Sequence, residues 1–167
     1  MYQLFGLTPM KPGQRWVLQI AGLPVPRSGI YTNMPPEVVS AALGRIIHFL
    51  MLLQRYLPIV YPHTMQYNSS FSTIGSQMGE GAGCHTLFPD GSAGFDRGVH
   101  LLQQNVRYLC LTQGMTEDEI WPSQDLLGNL IKLRHCPTLG QVQSVVDVDE
   151  LHPSPEKPSI QTKDHFL

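Results

Sequence analysis

The longest apolar run lies between Pro35 and Ile59 (PPEVVSAALGRIIHFLMLLQRYLPI), and its spacing is helical. Val39, Ala42, Leu43, Ile46, Leu50, Leu53 and Leu57 recur at intervals of three and four, while Glu37, Ser40, Gly44 and Arg55 fall mostly on the other side. This pattern predicts a core helix with a narrow wet side. Asn33 is the candidate cap, and Pro35 and Pro36 suit a first turn whose N–H groups lack intrahelical partners. The stretch is apolar enough to raise the question of a bilayer span. However, Arg45 and His48 fall inside it, Gln54 and Arg55 break its end, and Pro58 closes it. A charge at mid-bilayer costs about 2.5–3.5 kcal/mol on insertion scales, so a span is disfavoured. A core helix is the first reading and a helix lying on a membrane surface the second.

A second periodic segment, FDRGVHLLQQNVRYLCLTQG, places Phe95, Val99, Leu102, Val106, Leu109 and Cys110 on one face, with Arg97, Gln104 and Arg107 opposite and Gly114 as its stop. Thr116 to Glu119 has a capping-box pattern, and SQDLLGNLIKLRHCP predicts a shorter third helix ended by Pro137. Upstream, QRWVLQIAGLPVP reads as one strand stopped by prolines. PIVYPHTMQYN reads as an edge or irregular strand because of Pro62. The glycine- and serine-rich segment Ser69 to Gly94 reads as a loop, with Pro89-Asp90-Gly91 favouring a turn. From Leu139 onward, prolines and charges predict a largely disordered tail. The expected fold is therefore α+β, with short strands packed against two long core helices and a shorter third, over a domain of residues 1–138 followed by a tail of 139–167.

Composition sharpens this picture at one point. Only 14% of residues are charged, against 42% apolar. A free-standing globular domain carries about 25% charged residues, so part of this surface is expected to meet something other than water. The formal net charge is −2 and there is no block of Lys and Arg, which argues against nucleic acid as a partner. Cys84, Cys110 and Cys136 include no C-x-x-C pair, and the N-terminus lacks the order of charge and apolar run that a signal peptide needs. A reduced, cytoplasmic chain is the simplest reading.

Few residues point to chemistry. GEGAGCH lacks the Gly-Lys-Ser/Thr of a phosphate loop, and no Gly-x-Ser-x-Gly elbow occurs. Cys84 beside His85, and His135 beside Cys136, offer ligands soft enough for zinc, or a thiol and a base. Neither pair has the two-to-four-residue gap that lets a loop wrap an ion. A small Cys/His-dependent hydrolase or zinc-binding protein is thus the alternative to an interaction module, which is the preferred reading, with no enzyme activity and no cofactor. For membrane or partner contact the candidates are Trp121, Phe71, Arg97 and Arg107: aromatic side chains suit a headgroup layer, and the arginines suit acidic partners or lipid. Trp121, before Pro122, is the first choice, whereas Phe88 reads as core.

The segments SAALG, YNSSFSTI and FDRGVHLLQQNV, in that order and followed by LLGNLIKL, resemble the C-terminal region of the UV radiation resistance-associated protein and vacuolar protein sorting 38 family, to which the Barkor autophagy subunit is more distantly related. The resemblance covers Trp16 to Leu133. It implies a β-α repeated autophagy-type domain that is non-catalytic and packs beside a Beclin-like subunit within a class III phosphatidylinositol 3-kinase complex. It further implies a cytoplasmic protein, peripheral on endosome and autophagosome membranes, acting in endosomal or vacuolar sorting and autophagy. The family's C2 region and coiled coil have no counterpart here, and sustained heptads are not found. The chain is accordingly expected either to be part of a longer protein or to assemble without that coiled coil.

Overall fold

The computed structural model describes residues 18–76 and 83–141. Among them the chain forms an α+β fold of three α-helices and two small antiparallel sheets. Residues 18–25 make a hairpin, not the one strand the apolar run predicts. β1 (Leu18–Ile20) pairs with β2 (Leu23–Val25) in the register Leu18 with Val25 and Ile20 with Leu23. Ala21 and Gly22, at φ of 49° and 79°, make the two-residue turn. Two left-handed residues in succession match the twist of a hairpin, and glycine makes the second of them cheap.

α1 (Pro36–Leu53) follows. Its cap is Pro35 and not Asn33: no side chain caps the helix, and the Pro35 carbonyl accepts from Val38 and Val39 at 3.0 and 3.1 Å. The two fixed proline φ angles set the first turn without help from a side chain. Val39, Ala42, Leu43, Ile46 and Leu50 are buried as the spacing predicts; Ile47, which the predicted face leaves out, is buried with them, and Leu53, which it includes, is only half-buried. Ser40 and Gly44 are buried too, which overturns their placement on the wet side. Gly44 lies under a 3-10 turn, Ser69–Phe71, that packs directly on the helix, and the Ser40 hydroxyl donates to the Glu37 carbonyl at 3.2 Å.

The second sheet has the order β3 (Thr64–Gln66), β4 (Thr73–Ser76), β5 (Gly83–Thr86), with Met65 opposite Ile74 and Ile74 opposite His85. β3 is an edge strand, as Pro62 suggests. β4 and β5 lie inside the segment read as loop, so that reading is corrected. Ile74 is fully buried and anchors a sheet that the surrounding glycines and serines do not announce. The Pro89-Asp90-Gly91 turn forms, with Gly91 at φ 79° and the Ser92 N–H donating to Asp90 Oδ1 at 2.9 Å.

α2 (Ala93–Thr112) buries every residue its predicted face names. It ends as Gly114 requires: with glycine at φ 91°, Gly114 N donates to the Leu111 carbonyl and Met115 N to that of Cys110. The Thr116–Glu119 capping box is present but closes a single 3-10 turn, Glu117–Glu119. α3 (Leu126–Arg134) is capped by Asp125, whose Oδ1 accepts from Gly128 N at 2.9 Å. α1 packs on the hairpin, the 3-10 turn and β3, whereas α2 packs on α3, β4 and β5. One continuous apolar core joins them, with Leu43, Ile46, Ile47, Leu50, Ile74, Leu102, Leu109, Leu126 and Leu127 at its centre. The predicted tail, beyond Gln141, lies outside the described residues.

Candidate functional site

The YNSSFST segment builds a turn with no slack. Ser72 Oγ accepts from Asn68 N at 3.0 Å and donates to the Ser69 carbonyl at 2.7 Å, and Phe71 N donates to the Asn68 carbonyl at 2.8 Å. Ser69 sits at φ 51°, in the left-handed region that serine rarely occupies. The turn is held by its seat on α1: a Cβ at Gly44 would lie 2.2 Å from the Ser69 carbonyl oxygen. With its polar groups bonded inward, the turn leaves Phe71 68% exposed.

Beside it, Tyr67 stacks on His48 with ring centroids 4.3 Å apart and planes 10° from parallel. A groove of about 510 Å³ runs from there to the end of α1, lined by His48, Met51, Leu52, Gln54, Arg55 and Tyr67. Just past it the chain exposes Tyr56 (73%) and Val60 (78%). Charge is uneven here. Residues 18–76 contain Arg27, Arg45 and Arg55 against the one carboxylate of Glu37, a formal +2.

The other predicted residues have different fates. Trp121 is 38% exposed, with two cations near its ring and both backbone groups bonded. The Arg27 guanidinium lies 4.5 Å and the Lys132 ammonium 5.5 Å from its ring centroid, its N–H donates to Asn129 Oδ1 at 2.8 Å, and its carbonyl accepts from Asn129 Nδ2 at 3.2 Å. Arg27 also donates to Asp125 Oδ2 at 2.7 Å, so this cluster ties the β2–α1 loop to the cap of α3. Arg107 pairs with Glu117, and Arg97 is exposed near the start of α2, about 15 Å along the helix from Arg107. Phe88 is half-buried. Arg97 and Arg107 stand well apart on α2. Sequence reasoning passed over Tyr56 and Val60, although their place just after Gln54 and Arg55, where the apolar face ends, was a usable signal.

The four residues of the zinc or hydrolase alternative do not converge. Cys84 and His85 are neighbours on β5, so their side chains leave opposite faces: the thiol is exposed, and the His85 side chain lies along the start of α2, its Cβ by Gly98 and its ring by Gly94. His135 is exposed at the end of α3, while the Cys136 thiol turns to the Gln113 carbonyl at 3.5 Å. Among the described residues no three His, Cys, Asp or Glu side chains are grouped to hold a metal. Cys110 is buried, and burial pushes its thiol up to about 12, with Cys136 adding to the shift. That is the reverse of what a nucleophile needs.

Residues 3–85 match the family model described as Vacuolar sorting 38 and autophagy-related subunit 14. The match covers just under half of the chain. It spans the hairpin, α1, the Phe71 turn and the groove, and leaves out Arg97, Arg107 and Trp121. No curated protein matches the chain.

Proposed function

We propose that this chain is a non-catalytic docking subunit, or the docking part of one, that serves autophagy or vacuolar sorting within a class III phosphatidylinositol 3-kinase complex, beside a Beclin-like subunit on endosome or autophagosome membranes. The observation that carries the reading is the family match over residues 3–85. Within its described part the hairpin and the Ser69–Phe71 turn both pack on α1. Ile30, Tyr56, Val60 and Phe71, four of the large apolar side chains left exposed, lie in that same half.

The mechanism is positional. A subunit that binds both the kinase assembly and a membrane converts an encounter in three dimensions into one at high effective concentration, without touching the reacting atoms. The test is co-expression with a Beclin-like subunit and the class III catalytic subunit. The chain should co-purify with them and should make no phosphatidylinositol 3-phosphate on its own. Failure to enter the assembly, or lipid phosphorylation by the isolated chain, rejects the reading.

A further inference from the structure

We infer that the surface running from Phe71 across the His48–Tyr67 groove to Tyr56 and Val60 is a contact site for an anionic lipid bilayer. This rests on the proposed membrane-docking function and names the side chains that would carry it. Three observations converge. First, Phe71, Tyr56 and Val60 are among the most exposed large apolar side chains described, and the hydrogen bonds of the buried Ser72 hydroxyl plus the Gly44 seat fix the turn that carries Phe71, with a left-handed Ser69 in it. A strained residue held in place by its surroundings marks a turn whose shape is in use. Secondly, the groove is lined by the stacked Tyr67 and His48 rings and by Arg55, and its lining is close in the chain to both exposed groups: Tyr67 lies four residues before Phe71, and Arg55 adjoins Tyr56. Thirdly, charge is complementary: Arg45 and Arg55 are exposed on this side of the chain, and Glu37, the one carboxylate of residues 18–76, sits at the far end of α1.

Protruding aromatic and aliphatic side chains next to guanidinium groups suit a headgroup layer. The rings enter the interface, and the arginine stems lie along apolar surface while their heads reach phosphate. A protein partner would be expected to meet such residues in matching pockets with acids at the rim. Trp121 is a poorer candidate than its type suggests, because two cations of the same chain already cover its ring.

The experiment is flotation of the full chain with vesicles of phosphatidylcholine alone and of phosphatidylcholine with phosphatidylserine. The chain should bind only the anionic vesicles, and added salt should weaken binding. Phe71→Ser combined with Tyr56→Ser should lower the affinity about tenfold or more, since two aromatic side chains lose their interfacial contact. Arg55→Ala should lower it about fivefold. Trp121→Ala should leave it within about twofold, because its ring faces cations of the same chain. Circular dichroism checks that each variant is folded. Equal binding by the double variant and the parent overturns the assignment, as does equal binding to neutral vesicles. If no form binds vesicles but the double variant loses capture of a Beclin-like subunit, the surface is a protein interface; the lipid site is then overturned while the complex-subunit reading stands.

Discussion

Gly44 decides where the Phe71 turn can sit, and the effect of replacing it has a sign that discriminates. In an exposed helix, alanine for glycine stabilises by about 1 kcal/mol, through backbone entropy alone. At Gly44 the added methyl would enter the Ser69 carbonyl oxygen, 2.2 Å from the built Cβ. Gly44→Ala is therefore expected to destabilise by about 1–3 kcal/mol, read from the midpoint of urea unfolding. A gain in stability would mean that the turn does not rest on α1. The same substitution should weaken vesicle binding even where Phe71 is intact, because the aromatic ring is then no longer held in one place.

At the level of elements, two buried asparagines perform the same task on different helices. Asn105 of α2 accepts from the His63 N–H at 3.0 Å and donates to the His63 carbonyl at 2.8 Å, and Asn129 of α3 clamps both backbone groups of Trp121 in the same way. Each side chain stands in for a strand, satisfying a donor and an acceptor that have left regular structure. Asn105→Ala should cost about 1–3 kcal/mol for each backbone group left unpaired in a buried site. Asn105→Asp should not rescue it, since a carboxylate supplies no donor to the His63 carbonyl. Thermal unfolding of both variants checks this; a full rescue by aspartate would show that only the His63 N–H matters.

For the molecule as a whole, stability should fall on the alkaline side. Burial raises the Cys110 thiol from its ordinary 9.0 to about 12, and burial raises the Tyr31 and Tyr61 phenols well above their ordinary 10.0. Below pH 9 both folded and unfolded chains keep these protons, and the stabilisation is fully present. Above it the unfolded chain ionises first and binds fewer protons than the native one, so the free energy of unfolding declines steadily through pH 10 towards 12. Melting temperatures measured from pH 8 to 11 test this, and Cys110→Ala should flatten the first part of the fall. A profile unchanged up to pH 11 would contradict the burial of all three groups. The acid side has its own small decline, because hydrogen bonds from Ser92 and Thr116 hold Asp90 and Glu119 below their ordinary values.

Local sequence pattern determined where the three helices lie, the face that α2 buries, most of the face of α1, and the ends set by Pro36 and Gly114, because a 3.6-residue repeat and a backbone restriction act through neighbours in the chain. The aromatic type of Phe71 beside a glycine- and serine-rich segment marked it as a candidate for exposure, and it is exposed. Tertiary structure decided the rest. The apolar run Leu18 to Val25 became a hairpin because Ala21 and Gly22 both turned left-handed, and the glycine-rich segment yielded β4 and β5 because Ile74 found a core to enter. Gly44 went inside because a turn some 25 residues downstream landed on it. Trp121 lost its freedom to cations from Arg27 and Lys132, and the four thiol and imidazole residues were sent apart. In each case the outcome turns on a partner distant in sequence, and no local pattern encodes the distance between residues that meet only when the chain has folded.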